Sequence, residues 1–193
     1  MGTEMRILLA LIFLVAFVSG QAAEVAGVKI EESARSGAAS LTLNGAGLRS
    51  KAFFKVYALG LYLAEKKTAV DDILASSGPK RVQIHMLRDV DADDFSEALE
   101  QGIKDNHSEA EVKSLASRLA VLIGLMNEIK EVKKGMVIAL DWVPGAGTRV
   151  VIDNQPRGKP IPGEDFYRAL LRIWLGDKPV SGDLKKSLLG QGG

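Results

Sequence analysis

The chain contains no cysteine. That excludes disulfides, thiolate nucleophiles and cysteine-ligated metals together. Histidine is almost absent as well. His85 and His107 are the only two, and two imidazoles hold zinc only with carboxylates beside them. Long runs of one charge sign are missing: 25 Lys+Arg stand against 24 Asp+Glu, for a net charge of +1. A nucleic-acid binder carries a basic face or stripe, so no nucleic-acid partner is expected.

The recognisable loop motifs are also incomplete. Asn44-Gly45-Ala46-Gly47 has neither the third glycine of a dinucleotide loop nor the Gly-Lys-Ser/Thr of a phosphate loop. It reads as a bend or bulge in a sheet. Asp91, Asp93 and Asp94 lack the glycine and distal glutamate of a calcium loop, and capping of a helix accounts for them. His85 has no serine, cysteine or triad-like setting. The sequence therefore calls for no cofactor, no metal and no catalytic residue.

What is there is apolar material. With 193 residues and 47% hydrophobic content, the chain can build one domain with a substantial core. Ile7 to Val18 is an unbroken apolar run after Arg6, followed by Ser19-Gly20-Gln21-Ala22. This has the form of a signal peptide cleaved near Ala22, shorter than the roughly 20 residues of a membrane span. Residues 1–22 are read as that leader and 23–193 as the domain. The expected location is the bacterial periplasm or the exterior, with membrane contact only through an uncleaved leader. A true start at Met5 gives the leader a cleaner basic end.

Along the domain, Val25 to Ile30 reads as a strand, Glu31 to Ala38 as a loop and Ala39 to Asn44 as a second strand. The central strand is Phe53 to Leu63. Strict alternation puts Phe53, Lys55 and Tyr57 on one face and Phe54, Val56 and Ala58 on the other. After a short helix from Thr68 to Ser76 comes a strand from Lys80 to Leu87. Helices follow over Asp91 to Asp105, capped by Asp91, and from a Ser108–Glu111 capping box to about Ile129. Val121 and Leu125 widen the stripe of the second helix, so deep burial is expected for it. Lys130 to Lys134 reads as a solvated break. Strands over Met136 to Val143, Thr148 to Ile152 and Gln155 to Lys159 precede helices over Glu164 to Leu175 and Ser181 to Leu189. Strands and helices segregated into runs predict an α+β domain with a largely antiparallel sheet.

Chemistry is concentrated in Leu41 to Leu63. Arg49 is a permanent cation among apolar residues, able to grip a carboxylate bidentately. Tyr57, eight residues on, can add a hydroxyl donor. They share a face only if the connection between them preserves parity. The plainer reading is an arginine that caps a carbonyl, pairs with an acid or snorkels, and a core tyrosine.

The segments Asn44-Gly45-Ala46-Gly47-Leu48-Arg49 and Phe54-Lys55-Val56-Tyr57-Ala58-Leu59-Gly60-Leu61-Tyr62-Leu63 resemble the chalcone isomerase-like family, and within it the secreted bacterial branch. The resemblance implies an open-faced β-sandwich, a curved antiparallel sheet with helices packed on one side and a ligand cleft between them. It implies that Arg49 corresponds to an arginine of the isomerase cleft, which in fatty-acid-binding members holds a carboxylate together with a tyrosine, matched here by Tyr57. Phe95 stands where the plant isomerases carry a tyrosine, and Gly102 near their substrate-binding asparagine. Lys80 falls near their lysine. Losing two orienting polar groups removes transition-state stabilisation that ring closure needs.

The favoured expectation is a non-catalytic protein binding a small apolar carboxylate such as a fatty acid. Arg49 and Tyr57 hold the head group, and Phe54, Met86, Phe95 and Leu99 line the chain cavity. An intramolecular lyase and a periplasmic scaffold with a vestigial cleft and a protein partner stay open beside it.

Overall fold

The computed structural model describes residues 23–192; the leader and its cleavage site lie outside them. The chain opens with a small hairpin, β1 (Ala23–Val25) and β2 (Val28–Ile30). Val25 to Ile30 is thus not one strand: Ala26 and Gly27 turn it back with φ of 52° and 85°, a two-residue turn that matches strand twist. β3 (Ser33–Ser36) occupies the expected loop. Its alternation is carried by small residues, a weak apolar signal.

Then comes the long hairpin of β4 (Ala39–Lys51) and β5 (Phe54–Leu63). α1 (Val70–Ala75) leads to β6 (Lys80–Met86). The helical excursion follows: β7 (Val90–Asp91), α2 (Ala92–Asp105), α3 (Glu109–Asn127) and β8 (Glu131–Val132). β9 (Val137–Val143), β10 (Gly147–Ile152) and β11 (Gln155–Ile161) form a meander, and α4 (Glu164–Leu175) and α5 (Gly182–Leu188) end the fold.

Seven strands make one antiparallel sheet in the order β11-β10-β9-β6-β5-β4-β3. β6 and β9 are neighbours, so α2 and α3 leave the sheet and return beside their starting strand. The result is the expected α+β architecture: a curled antiparallel sheet with helices on one side. The face toward the helices holds the main core, including Leu59, Ile84, Leu140, Phe166 and Trp174. The opposite face has a smaller cluster, Ile30, Leu41, Leu43, Ala58 and Tyr62, covered in part by the β1–β2 hairpin.

α4 lies in the main core. Tyr167 donates to the Leu140 carbonyl at 3.0 Å. α2 is capped as expected, with the Asp91 side chain accepting from Asp93 N, and the Ser108–Glu111 capping box of α3 is complete. α3 is less deeply buried than its stripe suggested. Leu115, Leu119, Leu122 and Met126 point inward, while Val121 is 51% exposed. α3 packs on α2 and the β11 end rather than on the middle of the sheet, so only one narrow side is covered. The break at Lys130 to Lys134 contains β8, where Val132 is fully buried and pairs with Val90.

Gly45 and Gly47 serve the fold differently from the bend predicted for them. Neither adopts a positive φ. A Cβ at Gly45 would overlap the Ser187 carbonyl oxygen and lie 2.8 Å from that of Leu188, and one at Gly47 would lie 2.8 Å from Ser187 Cβ. Bare backbone here lets α5 rest directly on β4. The irregularity sits one residue earlier, at Asn44, where the register skips between Leu43 and Gly45. Its amide donates to the Leu188 carbonyl at 2.7 Å and the Lys67 carbonyl at 2.9 Å. The bulge thereby ties the sheet to α5 and to the start of α1.

Candidate ligand-binding cleft

A second bulge builds the site. Lys51 pairs with Phe54 and Ser50 with Lys55, but Arg49 pairs with Tyr57. Val56 is the extra residue, and Leu87 N takes up its carbonyl at 2.9 Å. An extra residue reverses the alternation of everything before it. Residues directly opposite in a sheet share a face, so Arg49 and Tyr57 share one, together with Lys51 and Phe54. This corrects the assignment of Phe54 to the face opposite Tyr57. It also answers the parity question: the bulge, which no residue in Phe54-Lys55-Val56 announces, turns both polar groups into the same cleft.

The cleft lies between the β4–β5 hairpin and the end of β6 on one side, and α2, the end of α4 and the α4–α5 connection on the other. Its volume is about 970 Å³, at the upper end of the roughly 300–1,000 Å³ of small-molecule sites. Ile84, Phe95, Leu99 and Ile173 give it an apolar interior. The rim is charged. Asp91, Asp94 and Glu97 face it from α2 and its approach, and Lys51, Arg88 and Lys178 from elsewhere.

Of the six residues singled out in the sequence, Arg49, Phe54, Tyr57, Phe95 and Leu99 line this cleft. Met86 does not. It pairs with Tyr57 across β5 and β6 but is buried in the main core beneath it. Phe54 stands at the edge, 60% exposed, with the Arg88 guanidinium 4.9 Å over its ring.

Arg49 is half-buried. Its Nη1 donates to the Ser50 carbonyl, and among the described residues no carboxylate lies within ion-pair distance of it. Tyr57 is anchored from the far side of the cleft: the buried Trp174 donates its indole Nε1–H to the Tyr57 hydroxyl at 2.9 Å. Part of Tyr57 stays open to the cleft, but its hydroxyl is crowded by protein. Desolvation raises its pKa above the ordinary value, opposed by the Trp174 bond and the nearby Arg49 charge. The hydroxyl thus remains protonated. With its oxygen accepting from Trp174, its own O–H keeps a donor capacity that this bond does not use. The arrangement sets one cation and one tyrosine hydroxyl beside an apolar cleft.

Trp174 lies on the helix expected over Glu164 to Leu175, but nothing in the sequence marks it as the partner of Tyr57. Its partner is 117 positions away, and no local pattern joins them. Gly102 carries a packing role instead of a polar one. A Cβ there would lie 2.8 Å from Ile173 Cγ2, so the bare position sets how closely α2 approaches α4.

The remaining candidates fall elsewhere. His85 alternates with Met86 and faces away from the helices, its Nε2 2.9 Å from Gln83 Nε2, with a pKa lowered by burial. Lys80 is at the opposite end of β6, six residues from Met86 and so about 20 Å from the Arg49–Tyr57 pair at strand rise. It is buried, and its ammonium donates to the Ser76 carbonyl and to that of Gly78 at 3.2 Å. Burial lowers its pKa to about 8. Lys80 closes the α1–β6 loop and plays no part in the cleft.

The family model described as chalcone isomerase-like matches residues 22–190. Among solved structures, a fatty-acid binding protein of Arabidopsis thaliana superposes with a TM-score of 0.66 at 17% identity, covering 84% of this chain and 92% of that one. At that identity the likeness is one of fold. No curated protein matches the chain by sequence.

Proposed function

Because the chain belongs to the chalcone isomerase-like family, we propose that it is a non-catalytic member that holds a small apolar carboxylate, such as a fatty acid. The observation that carries the reading is an arginine with no carboxylate partner among the described residues, directly across from a tyrosine that lines the same cleft. A carboxylate there accepts charge-assisted bonds from Arg49 and a neutral one from Tyr57. The acyl chain lies against Phe95, Leu99 and Ile173, where apolar burial contributes about 25 cal/mol per Å².

The solved fatty-acid binding protein of similar fold supports the ligand class. Against ring-closing chemistry stand Phe95, which offers no hydrogen-bonding group, and Gly102, whose position has no room for one. Tyr57, kept protonated, is a donor and not a base. The export reading rests on residues 1–22 alone; N-terminal sequencing of protein from a periplasmic extract tests it, with Ala23 as the expected first residue.

Binding is tested by calorimetry with a delipidated preparation and a long saturated fatty acid. Arg49→Ala should weaken binding by tenfold to a hundredfold, since hydrogen bonds to a charged group contribute about 1.5–3 kcal/mol. Equal affinity in the variant would remove the receptor.

A further inference from the structure

The turn between β4 and β5 carries an apolar surface that folding does not use. Phe53 is 100% exposed and Phe54 60%. Ala52, with φ 53°, closes the turn in two residues, so that Lys51 pairs directly with Phe54. The tip is therefore held by ladder pairing and presents Phe53 outward. A single exposed apolar residue is ordinary, but two adjacent aromatics set among cations are not.

Arg49, Lys51 and Lys55 fall within seven residues that contain no acid, and Arg88 stacks on Phe54. Among the described residues none of these four cations is ion-paired. Lys51, Ala52 and Phe54 also form one bank of the cleft mouth, while Asp89, Asp91 and Asp94 form part of the other. The acids of the mouth lie on the bank opposite the hairpin, where Lys178 also lies, and the hairpin bank carries cations and no acid.

We propose that the β4–β5 tip docks the protein on the surface of an anionic lipid bilayer. Phe53 enters the boundary between headgroups and acyl chains, and Lys51 and Lys55 face the headgroups. Aromatic rings flanked by cations partition to that boundary through apolar burial plus attraction to anionic lipid. The docking surface stands independently of the cleft reading; only its use rests on it, since docking sets the mouth where an acyl chain enters or leaves the bilayer. The sequence confined membrane contact to an uncleaved leader, and this tip is a separate surface. Among the described residues no helix is long and apolar enough to cross a membrane, and docking by a turn requires none.

The experiment uses vesicles of equal parts phosphatidylglycerol and phosphatidylethanolamine, with phosphatidylcholine vesicles as the neutral arm. Trp142 and Trp174 are buried, so the added indole of Phe53→Trp reports the tip. Its emission should shift to the blue and become protected from acrylamide with the anionic vesicles, with little change with the neutral ones, and high salt should reverse the shift. Phe53→Glu should lower the partition coefficient on anionic vesicles at least tenfold while leaving fatty-acid affinity in solution as in the wild type, because Phe53 does not line the cleft. An unshifted Phe53→Trp spectrum, a shift seen only on adding another protein, or wild-type partitioning of Phe53→Glu would each overturn the proposal. The two readings fail separately: Arg49→Ala with unchanged fatty-acid affinity removes the receptor and leaves docking standing, whereas unshifted emission removes docking and leaves the receptor.

Discussion

Two arginines lie in one sheet, each directly across from a tyrosine of β5: Arg49 opposite Tyr57, and Arg81 opposite Tyr62. They are on opposite faces and are satisfied in opposite ways. Arg81 grips Asp141 bidentately, Nε to Oδ1 at 2.6 Å and Nη2 to Oδ2 at 2.7 Å, with both side chains largely covered. Its neighbour Tyr62 is fully buried with no partner for its hydroxyl among the described residues, and burial pushes that hydroxyl to about 12. In the other pair the tyrosine is bonded, to Trp174, and among the described residues the arginine has no counter-ion. A buried cation with its carboxylate in place is a structural group. One left half-buried beside an apolar cleft, with a tyrosine at its side, is where the proposed anion from outside the chain would sit.

The sharpest break of this comparison is Asp141→Ala. It strands the Arg81 charge and should cost about 3 kcal/mol in urea denaturation, within the range for removing one partner of a buried pair. Arg49→Ala should change stability by less than about 1 kcal/mol, since the contact it loses is one part-buried bond to the adjacent Ser50 carbonyl and no ion pair. Equal losses for the two variants would erase the distinction.

Next in size is the same substitution made in both tyrosines. Tyr57→Phe leaves the buried Trp174 N–H without its acceptor, which should cost about 1–2 kcal/mol, and should weaken fatty-acid binding several-fold through the lost donor. Tyr62→Phe removes an unpaired hydroxyl and should be neutral or stabilising by up to about 1 kcal/mol. Opposite signs are the expected result in parallel denaturation curves.

The smallest effects are in pH. The Tyr62 hydroxyl keeps its proton up to about 12 in the fold, against an ordinary value of 10.0. Between those values the folded state holds a proton that the unfolded state has released, so stability falls as pH rises across that window. Tyr62→Phe should flatten that limb. On the cleft side, the raised Tyr57 pKa keeps the donor intact through neutral and mildly alkaline conditions. Fatty-acid affinity should therefore be level from pH 7 to about 9 in a calorimetric series, and a drop there would show Tyr57 ionising.

Much of the fold was legible. The helices over Asp91–Asp105 and Glu164–Leu175 announced themselves through periodic apolar residues and, for the first, its cap. Strands made of small or polar residues did not: β3 is Ser-Ala-Arg-Ser, and β8 is two residues inside a charged stretch. In the cleft, Arg49 and Tyr57 were visible as polar groups in an apolar stretch and through the resemblance to a known family. Met86 was misplaced because alternation gives a face but not whether that face opens into a cavity or is filled.

By itself the sequence determined that the chain has no cysteine chemistry, folds as one α+β domain, and carries a cation where apolar side chains dominate, because composition and periodicity are local and survive without coordinates. Only the tertiary structure decided that Val56 is a bulge, that Trp174 holds Tyr57 and that no carboxylate among the described residues pairs with Arg49. Each depends on which residues meet across strands or between helix and sheet, and such meetings are fixed by packing over long sequence distances, with no trace in the residues on either side.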